Sequence, residues 1–309
     1  MAYDKRRLRV QALLGLFRTM RPRQWTKNIL FVYPAIIFDG QLFELQPFLH
    51  VTFAAILLIL VSGSVYVMND LVDIERDRAH PKKKLRPLPS GELPVPFATA
   101  SAILIPIVAL IIAVLWDPGL AIVLVIYLVV QIAYSFYLKN VVILDVLAVT
   151  AGFILRVIAG IVVIEVANIS PWLFACSGLL ALFLVVGKRR QEYVSLGERA
   201  IATRPIFQYY NLPLLDDMLR MVMTSTFIAY VLYTIEADIV TYFDINLALL
   251  TVPFVIYGLF YYMYLIHVKG EGSAPDELLL HDRNLQVAIG LWGLTFVFLI
   301  YVLPSLIAG

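Results

Sequence analysis

Nine consecutive residues, Asn69-Asp70-Leu71-Val72-Asp73-Ile74-Glu75-Arg76-Asp77, hold the densest set of groups able to do chemistry in this chain. No Pro or Gly lies between Ser64 and Arg78, so the sequence predicts an unbroken helix through this run. At about 100° per residue, Asp70, Asp73 and Asp77 then fall within about 60° of one another, with Asn69 at the edge of the same face. Three carboxylates so close repel one another unless a cation sits among them. Hard oxygen ligands with positions left over for phosphate oxygens suit Mg²⁺, and an ion held this way neutralises a departing diphosphate. The other reading is a solvated helix end paired with Arg76 and Arg78. Acids at a helix C-terminus oppose the helix dipole, so stability alone does not call for them.

The next residues are His80-Pro81-Lys82-Lys83-Lys84-Leu85-Arg86-Pro87-Leu88-Pro89-Ser90-Gly91. Pro81 ends the helix and the later prolines stiffen the return. Lys83 and Arg86, beside an acidic metal site, make a cradle for a metal-bound anion such as a diphosphate.

Long apolar helices must position these groups. The chain has 309 residues, 61% hydrophobic and 15% charged, with a mean hydropathy of +0.86. A soluble domain has too little core for that apolar excess, so a bilayer is its natural solvent. The lone cysteine, Cys176, excludes an intrachain disulfide. The basic residues interrupt apolar stretches and lack interleaved aromatics, which gives nucleic-acid binding no support. A helix needs roughly 20 apolar residues to cross the hydrocarbon layer. About nine stretches qualify, near 27–47, 49–69, 94–115, 119–137, 141–165, 170–187, 218–237, 245–267 and 285–307. The first is interrupted by Pro34 and Asp39-Gly40. Loops between them are short, so 1–309 reads as one membrane domain.

The N-terminus, the loops after spans 2, 4, 6 and 8 and the span ends beside them hold every Lys and Arg except Arg156. The loops after spans 1, 3, 5 and 7 carry Asp39, Glu44, Asp117, Glu165, Glu236, Asp238 and Asp244 instead. Positive loops stay cytoplasmic. The N-terminus is therefore expected inside, the C-terminus outside, and the site on the cytoplasmic face of the cell membrane. Residues 1–24 are basic, lack the long apolar run of a secretory signal, and read as an interfacial segment. Leu8, Leu13, Leu14, Leu16, Phe17 and Met20 would form one side of a surface helix.

The run Asn69–Asp77, of form NDxxDxxxD near the end of the second span, resembles the first aspartate motif of the UbiA superfamily of membrane prenyltransferases. That resemblance implies an all-α polytopic fold, its helices bundled around a cytoplasm-facing cavity. The likeness narrows further along the chain. Arg21-Pro22-Arg23-Gln24-Trp25-Thr26-Lys27-Asn28, His80-Pro81 with Lys83 and Arg86-Pro87, Tyr134 with Leu138-Lys139, and Leu155-Arg156 with Ala159-Gly160 resemble the decaprenyl-phosphate phosphoribosyltransferase branch. So do Gly187-Lys188-Arg189 with Glu192, and Asp282-Arg283 with Leu285-Gln286. The superfamily's prenyl-transferring members are expected to carry a second acidic motif, DxxxD, after span 6. Here that loop reads Gly187-Lys188-Arg189-Arg190-Gln191-Glu192-Tyr193, basic with a single carboxylate.

The resemblance implies 5-phosphoribosyl 1-diphosphate as donor, a polyprenyl phosphate as acceptor and Mg²⁺ as cofactor. The product would be an early lipid-linked pentose donor for cell-envelope polymers. The acceptor phosphate is already largely ionised near neutral pH and needs no strong base. Expelling diphosphate from C1 of the ribose is the harder task. Metal on Asp70, Asp73 and Asp77 would stabilise the leaving group. Lys27, Lys83, Arg86, Lys139, Lys188, Arg189 and Arg283 would offset the repulsion between two polyanions.

Arg156 lies deep in span 5, where a charge is expensive. Asp145 precedes it by close to three turns, on one face but about 16 Å away along the axis. Arg156 either lines an interior site for an anion or partners an acid on another helix. Tyr134 and Lys139 either hold a phosphate or are an interfacial aromatic and a snorkelling lysine. Asp276, Glu277, Asp282 and Arg283 either cap span 9 or close the cytoplasmic mouth. Two other functions fit the same composition. One is transfer of a prenyl group from a prenyl diphosphate to an aromatic acceptor, against which the missing second acidic pair counts. The other is a non-enzymatic transporter of an anion or lipid, which would place its polar groups at the midplane rather than at one interface.

Overall fold

The computed structural model describes residues 2–79, 83–164, 171–236, 241–242, 245–270, 278–279 and 281–307. His80, Pro81 and Lys82 of the basic run, and Glu165, Asp238, Asp244, Asp276 and Glu277, lie outside the described residues. The architecture is helical, with a two-residue antiparallel ladder pairing Thr241–Tyr242 with Ile245–Asn246. Two compact units form. One comprises residues 1–136 and 155–166, the other 137–154 and 167–309.

The first unit begins with helix α1 (Ala2–Thr19), followed by short helices α2 (Trp25–Val32) and α3 (Pro34–Phe38). Then come α4 (Leu45–Val72), α5 (Ile74–Ala79), α6 (Val95–Trp116) and α7 (Pro118–Phe136). Helix α8 (Leu144–Val162) starts in the second unit and ends in the first. The second unit holds α9 (Pro171–Leu196), α10 (Ala200–Thr203), α11 (Leu212–Glu236), α12 (Val252–His267) and α13 (Arg283–Val297). Among the described residues, eight segments are long and apolar enough to cross a membrane. They are α4, α6, α7, α8, α9, α11, α12 with its preceding turn from Leu247, and α13 continued to Leu306. These match eight of the nine expected spans.

The ninth, expected near 27–47, is not one long helix but α2 and α3, broken before Pro34, whose ring removes a helix donor. The broken segment nonetheless runs antiparallel to α4. Arg21 meets Asp70, Asn28 donates to Ser62, and the Tyr33 hydroxyl meets Thr52 while its ring packs edge-on against Phe48. The stretch of α4 from Asp70 to Phe48 is ~33 Å long at the helical rise, enough to match the hydrocarbon layer.

The core of this unit is Val32, Ile36, Val51, Leu58, Val61, Leu120, Leu124 and Ala159, all buried. Helix α8 approaches the α2–α3 break so closely that a Cβ on Gly160 would sit 2.1 Å from the Val32 carbonyl oxygen. Backbone cannot yield as a side-chain tip can. Gly160→Ala is therefore expected to destabilise the fold by about 1–3 kcal/mol, the usual range for overpacking, read as a lowered Tm in detergent. An unchanged Tm would show that the two backbones are not packed this way.

In the second unit α9 pairs with α11 over Phe183, Val186, Leu219 and Val222, and Tyr262, Leu265 and Leu285 extend the same core. Ala200, Ile206, Phe207, Tyr210 and Leu215 form a smaller cluster where α10 leads into α11.

Candidate active site

Helix α4 does not continue through the acidic run. It stops at Val72, and Asp73 (φ −96°, ψ 10°) caps it, its N–H donating to the Asn69 carbonyl at 3.0 Å. Helix α5 then restarts at Ile74. The i→i−4 spacing still carries across the break, the Asp77 N–H donating to the Asp73 carbonyl at 2.8 Å, and Asp70 and Asp77 stay close enough to share one partner. Among the described residues, no three His, Cys, Asp or Glu side chains gather closely enough to hold a metal ion by themselves. The physical reason lies in the charges. Three acids at a helix C-terminus repel one another and the helix dipole. Two of them, Asp70 and Asp77, are buried around a shared cation.

That cation is Arg86. Its Nη1 donates to Asp77 Oδ2 at 2.7 Å and to Asp70 Oδ1 at 3.2 Å. Arg21 Nη2 donates to the same Asp70 oxygen at 2.7 Å, and its guanidinium lies 4.7 Å over the Tyr66 ring. Lys83 Nζ stands 3.5 Å from Asp77 Oδ1. Asp70 is 3% and Asp77 1% exposed, so the burial of both carboxylates is compensated by these cationic partners. One nitrogen serving two acids marks a point at which both carboxylates aim, and hard oxygens aimed at one point suit a divalent cation. These two buried carboxylates are hard-oxygen donors of the kind that magnesium takes.

Further into the unit, Arg156 is buried. Its Nε donates to Asn28 Oδ1 at 2.7 Å and its Nη2 to the Tyr127 hydroxyl at 2.8 Å, with the guanidinium 5.0 Å from the Tyr127 ring centre. Asn28 in turn donates to Ser62. Ser62 precedes Asp70 by eight residues on α4, so this polar group lies ~12 Å deeper along the helix than the carboxylates.

A second constellation occupies the other unit. Arg189 Nε donates to Asp145 Oδ2 at 2.8 Å and its Nη1 to Glu192 Oε2 at 3.0 Å. Tyr210 donates to Asp145 Oδ1 at 2.7 Å and accepts from the Ile143 N–H at 3.0 Å. Burial, and next the bond to Asp145, push the Tyr210 hydroxyl up to about 12, so it remains a donor at any working pH. Ile143 has φ 69°, a left-handed conformation unfavourable for a β-branched residue, and the Tyr210 hydroxyl holds that turn. Tyr210→Phe leaves the Ile143 N–H and one Asp145 oxygen without this partner. It is expected to cost about 1–3 kcal/mol, measurable as a lower midpoint of thermal unfolding; no change would remove the hydroxyl from the account. Arg204 Nε stands 3.8 Å from Glu192, and its Nη1 is enclosed without an acceptor among the described residues.

Of the expected site residues, Asp70, Asp77, Lys83 and Arg86 are thus brought together in one unit, and Asp145 and Arg189 in the other. Asn69 and Asp73 lie at the end of α4, beside the first group. Lys27 on α2, Tyr134 on α7 and Lys139 on the turn Leu138–Asn140 are half-buried. Lys188 and Arg283 are exposed. Asp282 caps α13, accepting from the Asn284 and Leu285 N–H groups at 2.9 and 3.0 Å. Arg21, Asn28, Tyr127, Tyr210 and Arg204 were not among the expected site residues. A polar residue inside an apolar stretch was the available signal for Asn28 and Tyr127, and none marks Tyr210.

Residues 29–281 match the model of the UbiA prenyltransferase family. A decaprenyl-phosphate phosphoribosyltransferase of Mycobacterium tuberculosis is 32% identical over 90% of this chain and 91% of its own length. One from Corynebacterium glutamicum is 29% identical over 94% and 88%. The structure of a UbiA homologue from Archaeoglobus fulgidus bound to DMAPP and Mg²⁺ superposes with a TM-score of 0.69, covering 94% of this chain and all of that one at 19% identity. That likeness supports the same all-helical membrane fold. The chain belongs to the UbiA prenyltransferase family.

Proposed function

We propose that this membrane protein transfers the 5-phosphoribosyl group of 5-phosphoribosyl 1-diphosphate to a polyprenyl phosphate, releasing diphosphate, at the cytoplasmic face of the cell membrane. The observation that carries the reading is the pair of buried carboxylates, Asp70 and Asp77, sharing Arg86 beside Arg21 and Lys83. This is a site with the charges to hold a metal-bound diphosphate. The names of the curated relatives support the same reaction.

Asp70 and Asp77 would hold magnesium, which would supply charge neutralisation for the departing diphosphate. Arg21, Lys83 and Arg86 would donate to the diphosphate oxygens, with Arg86 able to exchange its carboxylate contacts for phosphate ones. An oxygen of the acceptor phosphate forms the new bond to C1 of the ribose. The bond from C1 to the diphosphate oxygen breaks, and its electron pair leaves with diphosphate. In-line attack inverts the anomeric centre. Arg156, ~12 Å deeper by the helical rise, suits a second phosphate of the reacting pair. The run 187–193 is basic with a single carboxylate where prenyl-transferring members are expected to carry two, which favours phosphate-bearing substrates over a second metal. The distribution of Lys and Arg supports an inside N-terminus.

The test is donor identity. Purified protein in vesicles with Mg²⁺ is incubated with labelled 5-phosphoribosyl 1-diphosphate and polyprenyl phosphate, and separately with a prenyl diphosphate and an aromatic acceptor. Pentose should enter the lipid fraction in the first mixture. Prenylated aromatic product in the second, with none in the first, would overturn the proposal. Metal-independent uptake of an anion into the vesicles, without product, would point to transport.

A further inference from the structure

Helix α1 carries two stripes at helical spacing. The inward one rests on the protein. Gly15 backs onto Leu93 and Pro87, Thr19 is buried, and Met20, just past the helix end, packs with Val67, Leu88, Leu93 and Ala98. Arg18 pairs with Glu92, and the Trp25 indole donates to the Met20 carbonyl. These contacts fix α1 against the connection between α4 and α6, at the level where α4 ends and α6 begins. In a bilayer that level is the headgroup boundary.

The outward stripe is Val10, Leu13, Leu14 and Phe17, at i, i+3, i+4 and i+7. These side chains are 50%, 57%, 54% and 49% exposed, and on a water-facing helix such a stripe would be costly. The same helix carries Lys5, Arg6, Arg7, Arg9 and Arg18 against a single acid, Asp4. Apolar residues on one stripe and a strong positive excess in the same helix match one surface, the edge of an anionic leaflet.

We infer that α1 is an in-plane helix that seats Val10, Leu13, Leu14 and Phe17 in the leaflet boundary and recruits anionic phospholipid through its basic turns. The occupant is the bilayer itself, in preference to a second copy of the chain, because like-charged α1 helices brought together would repel. Bound anionic lipid would neutralise α1 immediately before Arg21, the residue that reaches Asp70.

The full-length Cys176→Ser protein carrying Leu14→Cys, labelled with an environment-sensitive fluorophore, is reconstituted in nanodiscs. One set contains phosphatidylcholine alone, the other phosphatidylcholine with phosphatidylglycerol. The expected result is blue-shifted emission, quenched by lipids with a spin label near the headgroup more than by deep-labelled lipids, and shielded from aqueous iodide. The shift should be larger with phosphatidylglycerol, and that difference should disappear when Lys5, Arg6, Arg7 and Arg9 are all replaced by Gln. Emission typical of water, with iodide quenching equal to that of free dye in both sets, would overturn the inference. So would an equal shift in both sets for the unaltered helix. Fluorophore-to-fluorophore transfer between two copies in one disc, without lipid quenching, would instead make the stripe a protein interface and equally overturn it.

Discussion

Replacing Asp70 or Asp77 by alanine lowers kcat/KM for 5-phosphoribosyl 1-diphosphate by on the order of 10²–10³-fold, with the protein still inserted and folded. The magnitude is that of removing one preorganised group that stabilises charge at a reacting centre. Both carboxylates are buried, and both bind the same Arg86 nitrogen. Alanine at either position therefore leaves Arg86 half-partnered and removes a hard-oxygen ligand. The double variant should lose little more than either single one, because residues that act as a unit are not additive. Asn in place of Asp77 keeps the shape but halves the charge of the pair, and should recover only a small part of the rate. Fluorescence-detected size exclusion or the unfolding midpoint separates loss of fold from loss of chemistry. Full activity in Asp70→Ala would place the diphosphate elsewhere.

The second large effect is at Arg156. Its guanidinium serves Asn28 and Tyr127 in the interior of the first unit. Arg156→Ala removes a cation from a low-dielectric setting, where charge interactions are strongest. It is expected to reduce turnover at least about 10²-fold, with a stability cost of about 1–3 kcal/mol for the acceptors left without this donor. Arg156→Lys should restore much of the stability but little of the activity, because an ammonium lacks the planar fork that reaches two acceptors. The split between the two readouts is what distinguishes substrate contact from packing. If Lys restores both equally, Arg156 is a structural residue; if Ala retains full activity, it has no part in transfer.

Much of this was legible in the sequence for simple reasons. Long apolar stretches and a one-sided distribution of Lys and Arg follow from the bilayer itself, so eight spans could be read from composition and periodicity. The association of the acidic run with Lys83 and Arg86 followed from adjacency along the chain. The break at Asp73 did not, because neither Pro nor Gly marks it. Pro34 marks the interruption of the first stretch, and the structure places the break there, between α2 and α3. Arg21 is a basic residue just before the first apolar stretch, yet its pairing with Asp70 spans 49 residues and needs the antiparallel path beside α4. Tyr210 meets Asp145 across 65 residues, a contact that no local pattern encodes. Asp282, assigned to either a cap or the site, is occupied with two backbone N–H groups.

The most direct measurement is a cryo-electron-microscopy map of the protein with 5-phosphoribosyl 1-diphosphate and Mg²⁺ in lipid nanodiscs. Density for the diphosphate and a divalent ion should lie at Asp70 and Asp77, within contact of Arg21 and Arg86. The same donor bound away from the end of α4, with the Arg86 contacts to both carboxylates intact, would contradict the account.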